Sequence, residues 1–159
     1  MAYVIGVLLQ TVVLPVASGT IEWALRGGDP IEVYGRWWVF WGVGTRLVVA
    51  GVVQLVRPEI TAGILGSAAP LPAQRQLTRE LATANLGMGL AGLFAVVPAW
   101  AAPAGAAGGM FLLAAGLMHL TTRGKNSREI LATWTDLLVG VVALVLVARF
   151  LVPALRGSL

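Results

Sequence analysis

Apolar residues in this chain come in long stretches separated by short clusters of Arg, Asp, Glu, Gly, Pro and Asn. A helix needs about 20 predominantly apolar residues to cross the hydrocarbon core of a bilayer, so each long stretch is a candidate span. The stretches fall at residues 2–25, 37–56, 81–101, 105–122 and 130–152. They predict an all-α architecture, a polytopic transmembrane helix bundle of about five spans forming a single domain over residues 1–159. The breaks carry turn residues: Gly27-Gly28-Asp29-Pro30 within a polar connection at 26–36, Arg57-Pro58 after the second stretch, and a polar loop over 123–129 before the last. Ile60 to Leu65 is too short to cross and is expected to lie along the interface. Only residues around Pro103 separate the third and fourth stretches, which predicts a tight αα-hairpin packed antiparallel. Pro15-Val16-Ala17-Ser18-Gly19 resembles a signal-peptide cleavage site, but no basic region precedes the first stretch, so it is read as a retained span.

Composition sharpens this picture. Of 159 residues, 58% are apolar and 11% charged, less than half the charged share of an ordinary soluble domain. With a mean hydropathy of +0.85, the chain cannot clothe a soluble core in charge. The net charge of +4 does not indicate nucleic-acid binding, because the basic residues are scattered through loops and form no clustered face. They report orientation: Arg57, Arg75, Arg79, Arg123, Lys125 and Arg128 fall on the side of the N-terminus, which predicts a cytoplasmic N-terminus. Trp23, Tyr34, Trp37, Trp38 and Trp100 then reach the outer interface as an aromatic belt. The absence of cysteine excludes disulfides and thiolate chemistry, and a single histidine argues against a His-based metal cluster, so no metal or cofactor is expected. Arginine far outnumbers lysine among the 11 basic residues, and Ala, Gly and Val abound, a bias that points to a GC-rich bacterial genome and a plasma membrane.

Within the spans, small residues mark expected packing faces. Gly87 and Ala91 lie on a stripe with Ala84 and Ala95 on the third span, and Gly105, Gly109 and Gly116 lie on the fourth. Close backbone approach at such stripes replaces the hydrophobic drive that is missing in lipid. Polar residues are the second signal, since an ionisable group at mid-bilayer costs roughly 2.5–3.5 kcal/mol on insertion scales. Arg46 lies near the middle of the second span between Gly42 and Ala50. Asp136 on the fifth shares a face with Thr133, Gly140 and Ala143, and Glu22, Asn85 and His119 supply one polar group each from the first, third and fourth spans. Depth places Asn85, His119 and Asp136 with Gln54 in one inner layer. Arg46 can reach either Asp136 or Glu22, with Asp136 slightly favoured. The residues either satisfy each other and fix helix register, or line a polar cavity for a proton, an anion or a small head group.

Two segments carry a resemblance. The first is Gly35-Arg36-Trp37-Trp38-Val39-Phe40-Trp41-Gly42-Val43-Gly44-Thr45-Arg46-Leu47, continuing through Ala50-Gly51, Gln54 and Pro58. The second runs from Arg79-Glu80-Leu81 and Ala84-Asn85-Leu86-Gly87 through Trp100, Gly108-Gly109-Met110-Phe111, Ala115-Gly116 and His119 to Asp136. Together they resemble a family of small bacterial integral membrane proteins grouped as a domain of unknown function. The resemblance implies a compact helical membrane domain with these Arg, Asn, His and Asp positions in its pattern, and it supplies no reaction.

Two functions follow as expectations. The first is a non-enzymatic accessory or scaffold subunit that packs against a larger membrane complex such as an envelope transporter, its partners being the lipid bilayer and other membrane subunits or copies of itself. The alternative is a small proton- or anion-coupled transporter, or a lipid- or small-ligand-binding bundle, built on Glu22, Arg46, Gln54, Asn85, His119 and Asp136. An intramembrane enzyme would need an activated nucleophile or a redox centre, and the sequence offers neither.

Overall fold

Each apolar stretch becomes a helix because a backbone in lipid must satisfy its own hydrogen bonds. The computed structural model describes residues 1–64 and 71–157. Helix α1 runs as α-helix over Ala2–Leu8, widens to a π-helical turn over Leu9–Val13, and continues as α-helix over Leu14–Arg26. The wide turn lies just ahead of Pro15, whose ring and missing N–H disrupt the ladder one turn back. Gly27, at φ 69°, ends the helix, and Asp29 caps the next one by accepting from Ile31 N at 2.9 Å and Glu32 N at 3.2 Å. Helix α2 therefore starts at Pro30, not at residue 37: it spans Pro30–Trp38, a second π-helical segment Val39–Thr45, and Arg46–Val56. The expected polar connection over 26–36 shrinks to a three-residue turn, because an Asp-Pro pair starts a helix as effectively as it breaks one.

A short helix α3, Pro58–Ile64, covers most of the expected interfacial segment; Leu65 lies outside the described residues. Helix α4 spans Pro72–Leu93 and tightens into a 3-10 turn at Phe94–Val96. Val97 is extended, as the residue before a proline prefers to be, and α5 starts at Pro98 and reaches Thr121. The hairpin turn thus sits at residues 94–97, and Pro103 lies inside α5, so the third span ends earlier and the fourth starts earlier than the prolines alone suggest. Asn126 caps α6, Ser127–Gly157, by accepting from Arg128 N and Glu129 N.

Four helices are long and apolar enough to cross a membrane: Tyr3–Arg26, Pro30–Val56, Pro98–Thr121 and Ser127–Pro153. Helix α4 starts with the polar run Gln74 to Glu80 and turns apolar only from Leu81, so its apolar part is shorter than those four and agrees with, without by itself making, the expected fifth span. No strand occurs among the described residues, and the fold is an all-α bundle.

The helices pack as antiparallel pairs, and glycine sets their spacing. A Cβ on Gly92 would stand 2.5 Å from Gly44 N, and one on Gly89 would stand 2.6 Å from Val48 N, so α2 and α4 touch backbone to backbone. A Cβ on Gly140 would lie 2.7 Å from Leu113 N, which brings α5 equally close to α6. Gly105, Gly109 and Gly116 all face α6 or α2 in this seam. Gly87 is a correction: it points outward, with nothing within 4 Å of an added Cβ, and Ala82, Asn85, Gly89 and Gly92 form the buried face of α4 instead. Ala91 is half-buried against the core. The hairpin partners α4 and α5 pack less extensively on each other than on α2 and α6, respectively. Val39, Val43, Leu112, Val139 and Leu146 fill the centre.

Candidate functional site

Arg46 follows directly on the second π-helical segment, near the middle of α2. Its Nη2 meets Asp136 Oδ1 of α6 at 2.5 Å and donates to Thr135 Oγ1 at 3.1 Å. Both charged side chains are nearly buried, at 11% and 10% exposure. Arg46 Nη1 is buried with no acceptor. Of the two acids within reach in the sequence, Asp136 is the partner; Glu22 is held elsewhere.

Glu22, one turn before the end of α1, pairs with Arg36 of α2 and accepts from Trp37 Nε1 at 2.6 Å. Arg36 Nη1 donates to Val96 O at 3.0 Å, which ties the turn after α4 into the same cluster. Ser18 accepts from Trp41 Nε1 and Thr11 O accepts from Trp38 Nε1, so indole N–H groups lace α1 to α2. A second cluster stands beside it: Arg149 of α6 lies 3.3 Å from Asp29 and 3.6 Å from Glu32. The backbone N–H of Glu32 and the Arg149 guanidinium hold the Asp29 carboxyl below the usual carboxylate range.

Towards the other end, Asn85 of α4 donates to Gln54 of α2 at 2.6 Å, and Asn85 Oδ1 is buried without a donor. His119 of α5 sits 3.7 Å from Glu129 of α6, an acid only 6% exposed. The expected single layer of Gln54, Asn85, His119 and Asp136 is thus a set of separate pairs: helices α2 and α4 hold one, α5 and α6 another, and α2 and α6 the third. The reason is rotation about the helix axis. Gln54 turns to α4 with Gly51, whereas Arg46 turns to α6.

Arg36, Glu129, Thr135 and Arg149 are the partners that reading the chain missed. Arg36 belongs to the expected polar connection over 26–36, but the Asp29-Pro30 cap starts a helix there and puts Arg36 two turns inside α2, level with Glu22. Glu129 falls in the expected polar loop over 123–129, yet only five residues separate α5 from α6, which brings it back beside His119.

Among the described residues no three His, Asp or Glu side chains gather as a metal site would require. A shallow cleft of about 130 Å³ lies beside Glu22, Glu32 and Arg36, and a wider groove of about 290 Å³ lies between α2 and α6. Apolar helices that cross a bilayer, glycine seams and charge pairs closed between helices define a small helical membrane-spanning bundle. The chain belongs to a family of unknown function, DUF6790, whose model matches residues 1–151. No curated protein and no solved structure matches it.

Proposed function

We propose that this protein is a non-enzymatic membrane module, an accessory or scaffold subunit that packs against a larger complex in a bacterial plasma membrane. The observation that supports this best is that three pairs of ionisable side chains close between helices among the described residues: Arg46 with Asp136, Arg36 with Glu22, His119 with Glu129. Such pairs fix helix order and register. The outward surface agrees, since most of the apolar stretch of Tyr3–Arg26 is not buried within the chain, leaving a broad face for lipid and neighbouring subunits. Arg57, Arg123, Lys125 and Arg128 stand at the end of the bundle where α1 starts, which favours a cytoplasmic N-terminus.

The test is affinity purification of the tagged full chain from its native membrane, followed by mass spectrometry. A stoichiometric membrane partner that is lost with Arg46→Leu supports the reading. A wild-type chain that purifies alone, or an Arg46→Leu variant that keeps its partner, overturns it. One observation favours a second reading, a small proton- or anion-coupled transporter: the buried Arg46 Nη1 has no acceptor and could receive an anion. Proteoliposomes holding the purified chain alone would then show anion-dependent proton flux that Arg46→Leu abolishes.

A further inference from the structure

Helix α1 is held in two different ways along its length. Its second half is tied to α2: Glu22 to Arg36 and Trp37, Ser18 to Trp41, and Thr20 to the Tyr34 hydroxyl at 3.0 Å. A Cβ on Gly19 would stand 2.6 Å from the Tyr34 ring. The first half has no such ties. Among the described residues no hydrogen bond or ion pair joins a side chain of residues 3–10 to another helix, and a Cβ on Gly6 would meet nothing within 4 Å.

The join between the halves is built to bend. Pro15 has no N–H, so the Thr11 carbonyl one turn back lacks its helical donor. The π-helical turn Leu9–Val13 widens the ladder at the same place. Thr11 Oγ1 donates to Val7 O at 2.7 Å, a back-bond of the kind that bends helices. The donor that Thr11 O lacks comes from outside, because Trp38 Nε1 of α2 bonds it at 2.9 Å. An indole of one helix thus closes the bend of the next.

On the inner side of this bend, the first half of α1 packs against α6, and the Tyr3 hydroxyl is within electrostatic range of Arg46 and Asp136. Arg46 Nη1 is sealed without an acceptor, so water or an anion reaches it only when a neighbouring element moves. Helices α2, α4, α5 and α6 interlock at the seams of Gly42, Gly44, Gly92 and Gly140. The first half of α1 does not.

We propose that the first half of α1 is a lateral gate over the Arg46–Asp136 pair, hinged between Thr11 and Pro15 and latched shut by the Trp38 indole. Opening breaks the indole bond and tilts residues 3–10 away from α6. With the hinge near mid-span, the gap is widest at the end where α1 starts, and water enters from that membrane surface. The gate goes beyond both functional readings, since it controls access to the pair whether or not an anion follows the water.

The chain has no cysteine, so engineered ones are the only sites of labelling. Spin labels go into the full chain in lipid nanodiscs at Ile5→Cys with Met118→Cys, and in a second sample at Ile21→Cys with Met118→Cys, all exposed positions. Double electron–electron resonance is expected to show an added longer-distance population for the first pair and a single distance for the second. Trp38→Phe keeps an aromatic ring but removes the N–H. It should raise the ratio of the longer to the shorter distance about threefold, the worth of a typical hydrogen bond between membrane helices. Pro15→Ala returns a donor to Thr11 O and should remove the longer distance. If Trp38→Phe loses helix by circular dichroism, Pro15→Ala carries the comparison alone. A single distance for the first pair in both the wild type and Trp38→Phe would overturn the proposal. So would two populations that neither variant shifts, or a second pair that splits in the same way.

Discussion

The bundle holds two nearly buried Arg–carboxylate pairs, and they are built differently. Around Glu22 both carboxylate oxygens are occupied, one by Arg36 and one by Trp37, and Arg36 passes a further bond to Val96 O, so α1, α2 and the turn after α4 close on one point. Around Arg46 the contacts reach only α6, through Asp136 and Thr135, and one guanidinium nitrogen stays without an acceptor. Exposure is similar, between 10% and 15% for both pairs. What separates them is how many groups share the charge. A shared cluster near the helix ends loses one bond of several when a member is removed; an isolated pair at mid-span loses its neutralisation outright.

The largest test of that contrast is Asp136→Ala. Leaving Arg46 buried and unpaired is expected to cost about 3–5 kcal/mol, read as a collapse of thermal stability in detergent. The double variant Arg46→Leu with Asp136→Leu should recover most of the loss, because two apolar groups in lipid need no partner. Glu22→Gln keeps an acceptor for Trp37 and is expected to cost about 1–2 kcal/mol. Equal losses at Glu22 and Asp136 would erase the distinction between the two sites.

Between these in size is the glycine seam. Gly92→Val should cost about 1–3 kcal/mol or more, because its Cβ meets Gly44 backbone and no side chain can yield. Gly87→Ala, one turn and a half away on the outward face, should instead gain up to about 1 kcal/mol of helix stability. Thermal unfolding of both variants in one detergent separates a packing glycine from a lipid-facing one. Asn85→Leu is smaller again, near the roughly 0.6 kcal/mol typical of a hydrogen bond between membrane helices, since its Oδ1 is already unpaired.

These residues also show what was legible in the chain. The helical class, the membrane spans and the Arg46–Asp136 alternative were all readable, because apolar length and the cost of intramembrane charge are local properties of sequence. Gly87 and Gly92 were not separable by eye: both lie on small-residue stripes of α4, and only the rotation of α4 against α2 decides which stripe meets Gly44. The inner layer failed for a similar reason. Depth along a helix follows from counting residues, but azimuth depends on which helices become neighbours, and the π-helical segment Val39–Thr45 shifts it again just before Arg46. Proline is where the helix ends differ most from the sequence reading: Pro103, expected as the break between the third and fourth spans, lies inside α5, whereas Pro30, Pro72 and Pro98 each stand at the first position of a helix.

The smallest expected effect lies at the start of α2. Asp29 caps α2 and faces Arg149, and those bonds hold its folded carboxyl below the ordinary value of 3.8. A depressed value means that the folded chain binds fewer protons than the unfolded one between the two values, so stability rises with pH across that window. The charge of Asp29 therefore contributes fully above about pH 4 and is lost as pH falls through its lower folded value. Asn at position 29 can still accept from Ile31 and Glu32 as a cap, but it carries no charge for Arg149. Asp29→Asn should accordingly be slightly less stable than the wild type at neutral pH, and the two melting curves in detergent should converge on acidification below pH 4. A difference that persists undiminished in strong acid would show that Asp29 acts through cap geometry alone, and that the ion pair at this end of the bundle adds nothing to what the turn already supplies.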